Sequence, residues 1–227
     1  MLIYQSSPKI GQIHSKYNPK IVTGKQKKEA IVYPLFSMPL MAMSLDIDND
    51  KLLKYIKNIT YRSIINSDEC YASKSVKILE NKKLKKEKEV FLKAIKKYLK
   101  LLGYTQGFRI LNSWSTKVKS NYESQPHVHT NTWISGVYYT QDNSSIQFLK
   151  SWSNTSFFNL EFNSSTNIYS ATKWDVHVKK NTLLIFPSEL QHKIKKNLLK
   201  EDRYSLAFNV LPVGSFNKGW DNEITYN

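Results

Sequence analysis

Two histidines separated by one residue, His127 and His129, offer the clearest chemistry in the chain. They precede the segment 133–139, whose aromatic and β-branched residues are typical of a buried strand. Side chains on an extended chain alternate between its two faces, so both imidazoles point the same way and can meet at one point. They would supply two of the three ligands of a facial metal site, and the third must come from elsewhere.

The other three histidines are the candidates for that third ligand. His14 lies in an irregular polar segment, and His177 lies in an alternating strand, 174–178, where a surface or lightly buried position is expected. His192 follows an apolar strand that ends in a proline turn. A residue at such a strand edge can line a site that opens to solvent, so His192 is the best third ligand.

An arginine and a serine follow His192 at a spacing that suits carboxylate binding. The strand 203–209 has period two, which puts Arg203, Ser205, Ala207 and Asn209 on one face. A guanidinium pairs bidentately with a carboxylate, and a neighbouring hydroxyl adds a donor. Arg203 and Ser205 therefore predict a carboxylate-binding site.

The order His-x-His, distal His, Arg-x-Ser resembles the iron(II)- and 2-oxoglutarate-dependent oxygenases, which have a double-stranded β-helix fold. Ile134-Ser-Gly-Val-Tyr-Tyr139, Leu183-Leu-Ile-Phe-Pro-Ser188 and Arg203-Tyr-Ser-Leu-Ala-Phe-Asn209 together look like one such family, common in marine phages and bacteria. Tyr33-Pro-Leu-Phe36 and Ser113-Trp114 are also similar to it. The resemblance covers residues 31–212, and each motif is far less specific alone than the three are in order.

The resemblance implies that iron(II) is held by His127, His129 and His192, with no catalytic residue beyond these ligands. His129 stands where the superfamily usually has an acidic ligand, and three neutral imidazoles leave the iron more positive than two imidazoles and a carboxylate would. The cysteine dioxygenase class implies that a three-histidine site can hold iron. Alternatively, His129 lies outside the ligand sphere.

The resemblance also implies that Arg203 and Ser205 bind the far carboxylate of 2-oxoglutarate, the cosubstrate. Tyr139 is similar to the second tyrosine of the Tyr-Tyr pair in prolyl-hydroxylase-like members, which reaches that carboxylate. Tyr139 shares a face with His127 and His129 if the chain between them is unbroken in extension; the alternative is a core tyrosine. The implied reaction hydroxylates a substrate while 2-oxoglutarate becomes succinate and CO2, and the substrate can be a protein, a small molecule or a nucleic acid.

Three other functions are weighed against this one. A cupin-type metal enzyme also uses His-x-His but has a glutamate four or five residues later, where this chain has Trp133 and Ile134. An AlkB-like nucleic-acid demethylase has a second arginine six residues after the first, where this chain has Asn209. The third is a non-catalytic basic binding protein that keeps the fold without iron.

The expected fold is α+β and mainly β: a double-stranded β-helix (jelly roll) with two N-terminal helices packed on the outside of the sheet. Apolar spacing predicts helices over 49–65 and 81–102, with Gly103 ending the second and a polar loop carrying Cys70 between them. The proline-broken segment 31–45 predicts one or two edge strands. Short strands with polar turns between them are predicted at 109–117, 133–139, 145–148, 166–171, 174–178, 182–186, 193–195 and 204–211.

The jelly roll is thus expected over 108–212, within one domain at 31–212 that follows a polar extension at 1–30 and precedes a tail at 213–227. Two loops, 112–125 and 150–166, are expected near the mouth of the barrel, where specificity resides. Their aromatic residues, which can line a pocket or cover the core, are Trp114, Tyr122, Trp152, Phe157 and Phe158.

Composition limits the remaining possibilities. A single cysteine excludes an intramolecular disulfide and a cysteine zinc cluster, and seven glycines leave no phosphate-binding loop. No segment suits a signal peptide or a membrane span, so a cytoplasmic protein is expected, in the host cytoplasm if it is phage-encoded. The net charge of +16 is mostly lysine, concentrated at 74–100, and suits either a solvated basic face or a polyanionic partner.

Overall fold

The computed structural model describes residues 37–64, 67–150 and 171–226. Contacts divide the chain into Met1–Ser37 and Met38–Asn227, and all the elements below lie in the second unit. They are two helices, α1 (Asn49–Lys57) and α2 (Lys85–Leu101), and eleven strands: β1 (Met41–Ser44), β2 (Tyr61–Ile64), β3 (Ser67–Ser73), β4 (Gly107–Val118), β5 (Ile134–Tyr139), β6 (Ser144–Leu149), β7 (Lys173–Val178), β8 (Thr182–Pro187), β9 (His192–Ile194), β10 (Arg203–Phe216) and β11 (Ile224–Tyr226).

The strands form two antiparallel sheets. The larger has the order β1-β8-β5-β10-β4-β3-β2, with β11 paired to β10, and the smaller has the order β7-β6-β9. This confirms the predicted mainly-β architecture with two helices and antiparallel sheets.

Alternation along β5 separates two layers of the core. Tyr138 belongs to a cluster that includes the buried faces of both helices, and the α2 residue Phe91 contacts Tyr138 and Phe208 at ring-centroid distances of 5.7 and 5.6 Å. The next residue, Tyr139, belongs to a second cluster that includes Phe148 from the smaller sheet. One cluster therefore joins this strand to the helices, and the other joins it to the smaller sheet.

The first helix is shorter than predicted. It begins where the side chain of Asp48 accepts a hydrogen bond from the Lys51 amide at 2.9 Å, and it ends at Lys57, not at residue 65. The amide of Asn58 donates to the Tyr55 carbonyl and closes the last turn. The residues that follow, with Ile59, are β-formers and enter β2, so their helical spacing was misleading.

The second helix is preceded by two 3-10 turns, Ile78–Glu80 and Lys82–Leu84, so the α-helix itself begins at Lys85. Its end is as predicted. Gly103 has a φ of +79°, and the amides of Gly103 and Tyr104 donate to the carbonyls of Lys100 and Leu99 at 3.1 and 2.9 Å. This double hydrogen bond around a left-handed glycine is the Schellman motif.

The predicted strands agree closely with those described, except that 166–171 falls almost wholly outside the described residues. The segment with Cys70 is strand β3, not a loop, and Cys70 is buried opposite Val118 of β4. The last strand continues past residue 212 to Phe216 and pairs with β11. The strand from the proline-broken segment, β1, lies at a sheet edge as expected.

A close approach at Gly136 gives the first prediction. A Cβ added there would lie 2.7 Å from Cε2 of Phe208, whose ring is enclosed in the helix-side core. We expect Gly136→Ala to lower the free energy of unfolding by about 1–3 kcal/mol, because the ring must move. Chemical denaturation measures this, and adding Phe208→Leu should recover part of the loss; full additivity of the two changes would contradict the explanation.

Candidate metal and cosubstrate site

The segment with His127 and His129 is fixed by backbone hydrogen bonds to the region after β8. The amide and carbonyl of His127 bond to the carbonyl and amide of His192, both at 2.9 Å. The His129 amide donates to the Ser188 carbonyl at 3.0 Å. Residues 65 and 59 positions apart in sequence are thereby held side by side.

The three imidazoles form a compact group. One ligand nitrogen from each of His127, His129 and His192 lies within 4.8 Å of the other two. The ring centroids are separated by 5.4 Å for the pair 127 and 129, 4.4 Å for 127 and 192, and 5.2 Å for 129 and 192. Small rotations of the rings would bring the three nitrogens to one ion, since such bonds are about 2.1 Å long.

Hydrogen bonds at the other ring nitrogen prepare each imidazole for a metal. Nδ1 of His127 lies 3.0 Å from the Gln125 carbonyl oxygen, and Nδ1 of His192 lies 2.8 Å from that of Leu190. A carbonyl can only accept, so both Nδ1 atoms carry the proton. In the neutral ring, a proton on Nδ1 leaves Nε2 with its lone pair, which is the form that coordinates a metal.

Burial keeps the inner imidazoles neutral. It lowers the pKa of His192 to about 3, and it also lowers the pKa of His129. His192 is 5 % exposed and packs against Phe186 at a centroid distance of 4.9 Å. Because a metal binds the neutral imidazole, these two residues are ready to coordinate at pH 7.

A polar cluster supports His129, the residue that replaces the usual acidic ligand. Its Nδ1 lies 2.7 Å from Oδ1 of Asn209 and 3.1 Å from the hydroxyl of Ser135. The Ser135 hydroxyl donates to the same Asn209 oxygen at 2.8 Å and lies 2.8 Å from the hydroxyl of Ser188. These hydrogen bonds around His129 were not predicted from the sequence. The shared face of Arg203 and Asn209 was the only signal for them.

We expect Asn209→Leu to weaken metal binding about 10- to 100-fold, the range typical for losing a partner of a ligating histidine. The substitution removes the acceptor that fixes His129 with Nδ1 protonated. Cobalt(II) affinity by calorimetry measures the effect. Asn112→Leu, on the paired position of β4, is the matched control and should leave the affinity unchanged. An unchanged affinity in Asn209→Leu would show that His129 needs no such support.

Arg203 is a buried cation without a carboxylate partner among the described residues. It is 3 % exposed, its Nη1 has no hydrogen-bond partner, and its Nη2 donates to the Lys195 carbonyl at a long 3.4 Å. Burial lowers its pKa. Two groups that could carry a negative charge interact with it, Cys70 and Tyr139. Both stay protonated, because burial raises the pKa of Cys70 to about 11 and that of Tyr139 well above its ordinary value. An unpaired buried charge is costly, so an anionic ligand is the natural partner.

Ser205 and Tyr139 lie beside that arginine. They are directly paired across β10 and β5, and each is at most 8 % exposed. The sequence places Tyr139 on the same face as His127 and His129 only if the chain between them is extended throughout, and it is not. Asn131 adopts a φ of +55°, which interrupts the extension between His129 and β5. The pairing with β10 is what places Tyr139.

The remaining sequence candidates are distributed differently. His177 is exposed, and its Nδ1 lies 2.9 Å from the Ser145 hydroxyl, in line with the expected surface position. Trp114 lies on strand β4, not in a loop, with its ring 5.5 Å from that of His129. His14, Trp152, Phe157 and Phe158 lie outside the described residues. Among the described residues, no helix is long and apolar enough to cross a membrane.

Three clustered imidazoles and a buried guanidinium without an anionic partner among the described residues fit the implied pair of a divalent metal and a dicarboxylate. Imidazole nitrogen is a suitable ligand for iron(II), and the guanidinium needs an anion. The donor set and the orphaned Nη1 of Arg203 are thus both consistent with iron(II) and 2-oxoglutarate.

Solved structures with a similar fold include an epimerase, a prolyl-4-hydroxylase and HygX. The α-ketoglutarate-dependent epimerase SnoN from nogalamycin biosynthesis has a TM-score of 0.58 at 9 % identity, over 80 % of each chain. A Pseudomonas putida prolyl-4-hydroxylase has a TM-score of 0.53 at 9 % identity, over 78 % of this chain and 94 % of its own. HygX from Streptomyces hygroscopicus, with nickel, 2-oxoglutarate and hygromycin B bound, has a TM-score of 0.52 at 12 % identity, over 77 % and 83 %.

No curated protein matches the chain in sequence. Residues 112–209 match a family described as "Putative 2OG-Fe(II) oxygenase", and this region contains the three histidines, Arg203, Ser205 and Tyr139. The match confirms the class that the motifs predicted: together with the shared fold, it indicates an iron(II)- and 2-oxoglutarate-dependent oxygenase, an oxidoreductase.

Proposed function

We propose that this oxygenase holds iron(II) through Nε2 of His127, His129 and His192, and anchors the far carboxylate of 2-oxoglutarate on Arg203, Ser205 and Tyr139. The observation that carries the proposal is the buried guanidinium of Arg203, which has an unused Nη1 and no carboxylate partner in the described part of the chain. The three imidazoles supply the adjacent metal ligands.

The residues of the chain divide the work by position. When bound, iron(II) and 2-oxoglutarate supply oxidation by dioxygen, in which 2-oxoglutarate is converted to succinate and CO2 and the substrate is hydroxylated. Arg203 fixes one end of the cosubstrate by charge, and the Ser205 and Tyr139 hydroxyls add donors. Phe148 and Phe186 pack against His192 and keep its inner side dry. The exposed His127 leaves the outer side open.

The substrate side is proposed to lie next to Trp114 and Asn112. The Trp114 ring is against His129, and Asn112, two residues earlier on β4, has a buried side-chain oxygen with no partner in the described structure. A buried unpaired acceptor favours a ligand that can donate a hydrogen bond. We therefore expect a substrate with a hydroxyl or amine close to its reacting carbon.

We also propose a specific topology for the two sheets. The two sheets are interpreted as a double-stranded β-helix over 108–212, within a domain at 31–212. Its support is the pair of core clusters, one of which joins β5 to α1 and α2 and the other of which joins β5 to the smaller sheet.

Anaerobic titration tests the proposed function. Iron(II) added with 2-oxoglutarate should give a weak visible charge-transfer band that saturates at one equivalent of each. Glutarate, which lacks the 2-oxo group, is the control and should give no band. Retention of iron without any band, or failure to retain iron, would contradict the assignment.

The alternatives make different predictions. A non-catalytic protein would retain no metal, and metal analysis of untagged protein separates it from an enzyme. An AlkB-like enzyme would need a second arginine where Asn209 stands, and Asn209 is engaged with His129. A cupin-type enzyme would need a glutamate four or five residues after His129, which this chain lacks, and the family that matches is a different one.

A further inference from the structure

The outer face of α2 carries an unusual concentration of lysines. At about 100° per residue, six of them fall within roughly 120° of the helix circumference. We call this set the lysine face, and all its members are exposed: Lys85, Lys86, Lys93, Lys96, Lys97 and Lys100. The opposite side of the helix is buried and apolar, with Phe91 and Ile95 in the core.

These charges are not compensated locally. Glu89 is the one acidic residue of α2 that is exposed on this side. Glu87 is buried and bonds to Lys51 at 2.9 Å, and Glu80 bonds to Lys88 at 2.7 Å. Among the described residues, no ion pair involves any lysine of the lysine face. Like charges four residues apart, such as Lys93 and Lys97, cost a few tenths of a kcal/mol each.

A separate group of lysines lies near the start of the helix, on the side that faces α1. A surface cavity of about 350 Å³ lies between α1 and the turn before α2. Its lining includes three lysines, Lys51, Lys54 and Lys83, above an apolar floor with Ile59 and Leu84. Neither Lys54 nor Lys83 has an acidic partner among the described residues. The cavity lies on the side of α2 that carries Glu87 and Leu84, so it is not part of the lysine face.

We propose that the lysine face binds the phosphate backbone of a nucleic acid. The six lysines follow about 22 Å of helix axis, at 1.5 Å per residue, and so form a linear track of positive charge. A DNA duplex presents one phosphate per roughly 1.7 Å of its axis, enough to meet each lysine. With no base-reading group in the track, binding is independent of sequence.

A membrane surface suits this face less well. A helix that lies in a lipid interface inserts an apolar side, and the apolar side of α2 is already buried against the sheet. The arc of the lysine face contains no apolar residue. Phosphate contact without insertion is therefore the interaction that the face supports.

Fluorescence anisotropy with a labelled 20-base-pair duplex of random sequence, between 50 and 200 mM NaCl, tests the proposal. If five or six lysines contact phosphates, the slope of log K against log salt should be roughly −4.5 to −5.5. The triple variant Lys93→Glu, Lys96→Glu, Lys97→Glu should bind at least tenfold more weakly at 50 mM, with a slope shallower by about 3.

The matched control is Lys179→Glu, Lys180→Glu, Lys200→Glu, three exposed lysines whose replacement changes the net charge equally. It should bind within about threefold of the parent. Equal weakening of both triple variants would show that net charge alone acts, and would overturn the proposal. So would binding to anionic phosphatidylserine vesicles in preference to the duplex. Thermal melts check that both variants fold, and neither should alter metal binding.

Discussion

Replacing Arg203 with methionine should strongly weaken 2-oxoglutarate binding while leaving the ligand-free protein at least as stable as the parent. Losing a buried charged partner costs about 2–5 kcal/mol of binding free energy, which is roughly a 30- to 5,000-fold weaker Kd. The free protein loses only a long hydrogen bond to the Lys195 carbonyl and no ion pair in the described structure. Apolar replacement of a buried charge is commonly neutral or stabilising.

Calorimetry with 2-oxoglutarate and a thermal melt measure the two parts of this expectation. Arg109→Met is the matched control, since Arg109 is exposed on the same strand pair and should affect neither quantity. A loss of 2-oxoglutarate affinity without a loss of stability in the free protein identifies Arg203 as a binding residue. A large loss of stability in the free Arg203→Met protein would mean that Arg203 is a structural residue, and retained 2-oxoglutarate affinity would remove it from the site.

The second large effect is expected from His192→Ala. This imidazole is the most buried of the three, and its Nδ1 is fixed by the Leu190 carbonyl. Metal affinity should fall by more than the 10- to 100-fold that the loss of a supporting partner costs, since a ligand itself is removed. His177→Ala removes an exposed histidine of the smaller sheet and is the control.

Cobalt(II) titration followed by visible absorbance measures this effect, because the ligand-field bands report the number of bound imidazoles. Metal affinity in His192→Ala within threefold of the parent would contradict a site centred on the three histidines. A loss in His177→Ala as large as that in His192→Ala would point to non-specific binding.

Much of the fold could be predicted because its turns are marked in the sequence. Asn143, between β5 and β6, and Asn181, between β7 and β8, adopt positive φ, and polar asparagine is one of the few residues that tolerates this. The two segments whose secondary structure was predicted wrongly, β2 and β3, have a common cause of error. Ile59 and Ile64 continue the helical spacing of α1, and the polar segment with Cys70 shows little alternation, although both segments are strands. β2 pairs with β3, and β3 pairs with β4; the local sequence pattern does not contain these tertiary contacts.

The site was predictable to a similar depth. Three histidines and the pair Arg203 and Ser205 follow from residue type, spacing and resemblance, and the fold brings the histidines together. The supports of His129 were not predictable, because Ser135 and Asn209 meet it only through the pairing of β5 with β10. The uncompensated state of Arg203 is likewise visible only when every neighbour is known.

His129 remains the residue on which the account depends most. Its place in the motif usually belongs to a carboxylate, and here an imidazole is held by Asn209 and Ser135. Those partners make it a neutral donor with a fixed tautomer, which is what a three-histidine site requires.

Anomalous diffraction at the iron edge, from crystals grown anaerobically with iron(II) and 2-oxoglutarate, tests this most directly. The account predicts one peak bound by Nε2 of His127, His129 and His192, with the far carboxylate of 2-oxoglutarate on Arg203. A peak coordinated by two histidines without His129, or no peak among the three rings, would contradict it.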